Sequence, residues 1–320
     1  MRFAFIVDPL ESLKAYKDTS VAMMSEARRR GHEAHVIMRA ALTWRDGSVG
    51  AMATRLEFRA DDPGRLDHGR WWVELERGHQ PLAAFDAVLM RQDPPFDSEY
   101  VAATWLLERA EADGARIFNR PRALRDHNEK IAITEFPQFT ATTLVAREPV
   151  DLEAFIDELG DVILKPLDGM GGSSIFRVRR DDPNRHVIVE TLTDNGSRTI
   201  MAQRYLPQIA QGDKRILVIA GEVVPYCLAR IPKPGETRGN LAAGGTGVAQ
   251  PLSDRDREIA ATLGPILAAR GLLLVGLDVI GDCLTEINIT SPTCFVEITQ
   301  QSGCNVAAMF IDALEREVAI

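Results

Sequence analysis

Cysteine is scarce: Cys227, Cys283, Cys294 and Cys304 are the only four in 320 residues. They form no CxxC pair and have no histidine at ligand spacing, so neither a zinc site nor a disulfide framework is indicated, and the thiols read as reduced and packed. Positive charge is in deficit too. Against 46 Asp and Glu stand 37 Lys and Arg, a formal net charge of −9. Binding to a phosphate backbone or an anionic membrane needs the opposite balance, so no nucleic acid and no membrane partner is expected, which still allows a local basic pocket. Long hydrophobic runs are missing. The apolar start ends at Asp8-Pro9, too short for a signal segment or a bilayer span, and reads as a buried first strand in a cytoplasmic protein. Histidine offers no catalytic arrangement either, since no Gly-x-Ser-x-Gly elbow is present. His32, His68, His79, His127 and His186 fall near predicted turns or element ends, and His35 opens a predicted strand as a core residue.

The remainder is ordinary globular material, 45% hydrophobic and 26% charged, long enough for two or three modest domains. Phe3 to Val7 reads as a strand, Thr19 to Arg30 as a helix stopped by Gly31, and Ala34 to Met38 as a strand, a βαβ opening that favours a parallel sheet. Trp44 to Gln80 is polar and is assigned no element. Asp86 to Met90, a helix over Glu99 to Asp113 and a short strand Arg116 to Asn119 close this unit. From Pro121, helices are predicted over Arg122 to Phe136 and Asp151 to Leu159, and strands over Val162 to Lys165 and Ser174 to Val178, a small α+β lid. A third region brings a strand Ile200 to Leu206, a hairpin over Arg215 to Arg230 turning at Ala220-Gly221-Glu222, and a helix Ser253 to Arg270. A second hairpin, Leu272 to Ile280 and Cys283 to Ile289, turns at Gly281-Asp282. The fold class expected is therefore an α/β N-terminal domain with a parallel sheet (1–121), followed by an α+β lid (122–199) and an α+β C-terminal unit (200–320). Pro232 to Gly247, glycine-rich and polar, marks a mobile loop.

Two clusters carry chemistry. In Lys165-Pro166-Leu167-Asp168-Gly169-Met170-Gly171-Gly172-Ser173-Ser174 a lysine leaves one strand and a glycine-rich turn follows. Gly169, Gly171 and Gly172 let backbone N–H groups converge on an anion, and Lys165 supplies the point charge a phosphate needs. No Gly-Lys-Ser/Thr follows, so this is not a Walker A loop; read alone, a flexible hairpin tip explains the turn about as well. In the second cluster, Glu286 and Asn288 share one face of a strand by period-2 geometry, and Asp278 sits on the partner strand. Three oxygen ligands facing one point suit Mg²⁺ completed by phosphate oxygens and water. Arg215, Arg230 and Arg238 are candidates to hold carboxylates and to stabilise an oxyanion. Arg91 and Asp93 end a predicted strand where open α/β sheets place ligands, and Ser291-Pro292-Thr293 can add donors for a substrate carboxylate, although a simple turn also explains that string.

A lysine on one hairpin and an Asp…Glu-x-Asn set on another resemble the ATP-grasp superfamily. Within it, Met90 to Asp97, Lys165 to Phe176, Asp213-Lys214-Arg215, Pro225 to Pro232, Gly235 to Gly245 and Thr285 to Thr293 resemble the bacterial glutathione synthetases, in family order over nearly the whole chain. The resemblance weakens over Arg39 to Gln80 and the last twenty residues. It implies that Lys130, on an Asn128-Glu129-Lys130 helix, joins Lys165 at the ATP phosphates, and that Gln203, Tyr205 and Leu206 line the adenine slot. It also implies γ-glutamylcysteine, glycine and ATP as substrates, Mg²⁺ with Mn²⁺ able to substitute, and a homo-oligomer, a tetramer by family habit. Another carboxylate–amine ligase acting on D-alanine or on a peptide tail, or a nucleotide-binding protein without turnover, remain the alternatives.

Overall fold

The computed structural model describes residues 1–60, 70–241 and 244–319. His68 and the Ala242-Ala243 step of the glycine-rich loop lie outside them.

The first sheet begins as the βαβ pattern requires. Strand β1 (Arg2–Val7) runs parallel to β2 (Glu33–Arg45), and helix α1 (Thr19–Arg29) crosses between them. Asp18 caps α1, its carboxylate accepting from Val21 N at 2.8 Å. The polar stretch expected to hold no element instead folds as an antiparallel extension, β2 to β3 (Ser48–Phe58) to β4 (Trp72–Pro81). Its first turn is Asp46-Gly47, both at positive φ, and an Asp-Gly step is itself a hairpin signal. Strand β5 (Ala87–Met90), helix α2 (Ser98–Ala112) and strand β6 (Ile117–Phe118) complete a six-stranded sheet in the order β4-β3-β2-β1-β5-β6. The sheet is therefore mixed rather than parallel, with β2, β1, β5 and β6 its parallel part.

The single helix expected over Arg122 to Phe136 is broken. Helix α3 (Pro121–Asp126) ends early, and short 3₁₀ turns follow at Ile131–Glu135 and Pro137–Phe139. Asn128 Oδ1 accepts from both Lys130 N and Ile131 N at 3.0 Å, a local bond that competes with helical pairing. Lys130 thus stands in the break and not on a helix.

The lid is a four-stranded antiparallel sheet, β7 (Thr143–Ala146), β8 (Asp161–Pro166), β9 (Phe176–Arg179) and β10 (Ile200–Arg204), in the order β7-β10-β8-β9. Helices α4 (Pro149–Leu159) and α5 (Arg185–Thr193) pack on it, and Leu152, Ile156, Leu164 and Val189 form its own small core. A division at 199/200 would cut this sheet, because β10 pairs with both β7 and β8.

The third sheet is β13-β12-β11-β14-β15, built from β11 (Asp213–Ile219), β12 (Glu222–Ile231), β13 (Thr246–Pro251), β14 (Leu274–Ile280) and β15 (Cys283–Asn288). Helix α6 (Asp254–Ala269) backs it, started by a Ser253–Asp256 capping box. Helices α7 (Phe295–Ser302) and α8 (Val306–Ala319) return to the first sheet, where Phe310, Ile311 and Leu314 share one core with Phe3, Phe5 and Met23.

Candidate active site

Two cavities meet between the lid and the third sheet. One, a cleft with about 920 Å³ of space including its open mouth, lies between β8, β10, the glycine-rich turn and β14–β15. The other, about 2030 Å³ and open to solvent, lies between that turn, β15 and the C-terminal end of β1. Gly169, Met170, Gly171, Asn240, Asp278 and Glu286 line both, so these residues mark the junction.

The junction is a charge ladder set by strand register. Arg215 on β11 lies opposite Asp278 on β14, which lies opposite Glu286 on β15. Side chains directly across adjacent strands are close neighbours, so Asp278 has a guanidinium on one side and a second carboxylate on the other. Arg215 Nε donates to Asp278 Oδ1 at 2.6 Å, and Arg230 Nη2 lies 2.9 Å from Asp278 Oδ2. Burial opposes ionisation of Asp278, but Arg215 and Arg230 outweigh it and hold the carboxyl well below the usual range. Breaking such a buried arrangement by removing one partner typically costs about 3–5 kcal/mol.

From the lid side come Lys130 and Lys165, each 4% exposed. Their Nζ atoms lie 3.6 and 3.7 Å from Glu286 Oε1. Lys130 also donates to Gly169 O at 2.7 Å, and Lys165 to Thr285 O at 3.2 Å. Burial lowers the Lys165 ammonium below its ordinary range, with Glu286 opposing. Two near-buried lysines share one carboxylate, which leaves them poised for a further anion. Gly171 and Gly172 take φ of 63° and 81°, as the turn beneath that position requires.

Asp278, Glu286 and Asn288 form the face expected for a metal. Asn288 Nδ2 donates to Gly276 O at 3.3 Å, which leaves the amide oxygen for another partner. Among the described residues no group of three or more His, Cys, Asp or Glu gathers to hold a metal. This hard-oxygen set fits a divalent cation that draws the rest of its shell from phosphate and water.

Most of the other residues named from sequence also reach the two cavities. Gln203, Tyr205 and Leu206 line the smaller cavity at the exit of β10, where Tyr205 N donates to Asp161 O at 3.1 Å. Asp93, Ser291 and Thr293 line the larger one, and Ser291 donates to Asp93. Arg238 sits on the smaller cavity, ion-paired with Glu236 at 2.7 Å, away from Arg215 and Arg230. Arg91 and Pro292 lie behind the wall of the larger cavity rather than on it. Arg91 is buried beneath the wall, donating to Pro292 O at 2.8 Å and Ser20 Oγ at 3.2 Å, so it shapes the Ser291–Thr293 turn from behind.

Three features were given no role of their own from sequence. Asp213 lines the smaller cavity with Oδ1 buried and unpartnered among the described residues; burial pushes its carboxyl up to about 7, with Arg230 opposing and Asp278 and Glu286 adding. Its place two residues before Arg215, on the same strand face, was the available signal. Glu129 Oε1 accepts from Ile289 N, Thr290 N and Thr290 Oγ1, tying the segment after β15 to the segment bearing Lys130. The chain from Asp8 to Thr19 walls the larger cavity, as position after the C-terminal end of β1 predicts for an open α/β sheet.

A lid that carries a lysine and a glycine turn over a sheet that carries paired carboxylates defines an ATP-grasp ligase. Solved structures of that fold agree at low identity: the D-cycloserine synthetase DcsG superposes with a TM-score of 0.67 at 16% identity, covering 99% of this chain and 100% of its own. The ATP-grasp ligase PsnB, complexed with minimal precursor, Mg and ADP, gives 0.62 at 18%, covering 100% and 98%. The sequence matches the prokaryotic glutathione synthetase N-terminal domain over residues 1–125 and the ATP-grasp domain of the same family over 129–303. The glutathione synthetase of Nitrosomonas europaea is 60% identical, covering 100% of this chain and 99% of its own; that of Ralstonia nicotianae is 58% identical, covering 99% and 96%. The chain belongs to the prokaryotic glutathione synthetase family.

Proposed function

We propose that this protein joins γ-glutamylcysteine to glycine and converts ATP to ADP and phosphate, yielding glutathione. The observation that carries the reading is the convergence of Lys130 and Lys165 on Glu286, where the cleft lined by the glycine turn opens into a larger one. Adenine fits against Gln203, Tyr205 and Leu206, and the phosphates then extend past Gly169, Gly171 and Gly172 toward the two lysines. An oxygen of the cysteinyl carboxylate takes the γ-phosphoryl group, and the bond from phosphorus to the β-phosphate oxygen breaks. The glycine amine attacks the acyl carbon, and the tetrahedral intermediate expels phosphate. Arg215 and Arg230, both ion-paired with Asp278, carry the charge an oxyanion formed there would need. Arg238 and Asn240, on the 232–247 loop, close over the glycine turn and exclude water that would hydrolyse the acyl phosphate. Mg²⁺, with Mn²⁺ able to replace it, would be held by Asp278, Glu286 and Asn288 and would neutralise phosphate charge when bound. Asp93, Ser291 and Thr293 line the dipeptide side, with Arg91 and Pro292 supporting them.

We also infer a cytoplasmic homotetramer, which the family resemblance supports. Among the described residues no helix is long and apolar enough to cross a membrane. Light scattering of the purified protein checks the assembly.

The test of function is phosphate release from ATP and Mg²⁺ with γ-glutamylcysteine, with and without glycine, beside Glu286→Ala. Release that requires both substrates and falls by about 10²-fold or more in the variant supports the reading. Turnover with D-alanine, or with another acid and amine in place of this pair, would overturn the substrate assignment.

A further inference from the structure

The larger cavity has two chemically distinct ends. Asp278, Glu286, Arg215 and Arg230 occupy the end where the acyl group reacts. At the other end the start of α1 abuts the start of α7, with Phe295 N donating to Thr19 Oγ1 at 3.4 Å. Lys14, Lys17 and Asp18 face the cavity from the first segment, and Glu297 from the second. Cys294, immediately before α7, also lines the cavity, and its thiol is influenced by Arg215, Arg230 and Glu297 alike.

The acids of this far end are not equivalent. Asp18 accepts from Val21 N as a helix cap, Asp93 accepts from Ser291, and Asp8 accepts from Asp93 N at 2.9 Å. Glu297 Oε2 is buried and accepts from no group among the described residues. Burial raises the Glu297 carboxyl above its usual range; its own backbone N–H and Lys17 oppose, and Asp18 adds. Lys17 is near enough to act on Glu297 electrostatically yet is not within ion-pair distance of it, and its Nζ lies 6.0 Å from the Tyr16 ring centre. A buried acceptor without a donor and a lysine without an ionic partner among the described residues, side by side on a cavity wall, complement a ligand that carries both charges on one carbon.

We propose that this end of the cavity binds the α-amino acid head of the γ-glutamyl donor, with Glu297 accepting from its ammonium and Lys17 facing its carboxylate. The inference rests on the proposed function and names how its first substrate is recognised. A γ-linked glutamyl group keeps ammonium and carboxylate on one carbon, at the opposite end of the molecule from the reacting cysteinyl carboxylate. An α-linked one does not. Both sets of residues line the same cavity, and Glu297 and Lys17 become specificity residues for the γ linkage.

The experiment compares γ-glutamylcysteine with glutarylcysteine, which lacks the ammonium, and with 4-aminobutanoylcysteine, which lacks the head carboxylate, in wild type, Glu297→Gln and Lys17→Met. Wild-type turnover of γ-glutamylcysteine is read first; its absence defeats the proposed function, and this inference with it. Given turnover, the wild type is expected to prefer γ-glutamylcysteine over glutarylcysteine by about 10 to 10²-fold in kcat/KM. Glu297→Gln is expected to lose most of that preference while its KM for ATP and glycine and its melting temperature stay near wild type. Lys17→Met is expected to lose preference against 4-aminobutanoylcysteine instead. A Glu297→Gln enzyme that discriminates against glutarylcysteine as strongly as wild type overturns the inference and leaves the ligase assignment standing.

Discussion

At the scale of single residues, chemistry was readable wherever side-chain type and strand period together fix position. Asp278, Glu286 and Asn288 lie on one face because β14 and β15 pair as alternation requires. For Arg91, sequence shows that a residue ends a strand but not whether its side chain turns into the cavity or beneath it, as it does here. Asp213 escaped for a related reason: its significance is burial, which depends on the lid folded above it. Burial raises its carboxyl to about 7 from an ordinary 3.8, so the native state holds a proton that the unfolded chain releases earlier. Where the native state binds more protons, stability falls as pH rises, here between about 4 and 7, by roughly 1.4 kcal/mol for each pH unit crossed. Asp213→Asn removes that titration. Melting curves of nucleotide-free protein should show the variant gaining on wild type as pH climbs through this window, and a difference that stays flat with pH would contradict the assignment.

Elements were legible where capping and periodicity agreed. The Ser253 cap and the Gly271 stop bracket α6 within a residue or so of expectation. Elements that depend on tertiary partners were not. The antiparallel extension β3–β4 is polar on its exposed face, and α5 went unpredicted because nothing local marks it as distinct from a turn. The break around Lys130 follows from one asparagine side chain bonding two backbone groups. The glycine turn meets the 232–247 loop at Arg238 and Asn240. A Cβ at Gly172 would stand 2.8 Å from Asn240 Oδ1 and 3.1 Å from Arg238 Cδ, and φ there is +81°. Gly172→Ala should therefore keep the loop from seating on the turn. Misplacement of about 1 Å at a reacting centre can cost about 10²-fold, so kcat should fall toward that extent with little change in the overall melting temperature. An alanine variant with wild-type kcat would show that the two segments do not need to meet.

For the whole molecule, the order of units was legible but the sharing of cores was not. The lid has a small core of its own but gives Met201 of β10 to a core that also draws on the first and the third sheets, and the remaining core is shared between those two sheets alone. The lid should accordingly open as a unit against a stiffer body. Hydrogen exchange should find amides of β8 and β10 less protected than those of β1 and β14, and a non-hydrolysable ATP analogue should slow exchange in the lid most. Equal protection across all three sheets would argue against an independent lid. Helix α8, where family resemblance was weakest, has a definite part in this arrangement. It packs Phe310 and Leu314 against residues of β1 and α1, and its Glu315 takes contacts from Arg30 and His32. On a ribosome adding about 5–20 residues per second, some 300 residues and on the order of 15–60 s separate the emergence of β1 from that of α8. Throughout that interval the nascent first sheet exposes an apolar face it cannot yet cover, so the period of greatest exposure to aggregation and to chaperones is set by where the chain places its last helix.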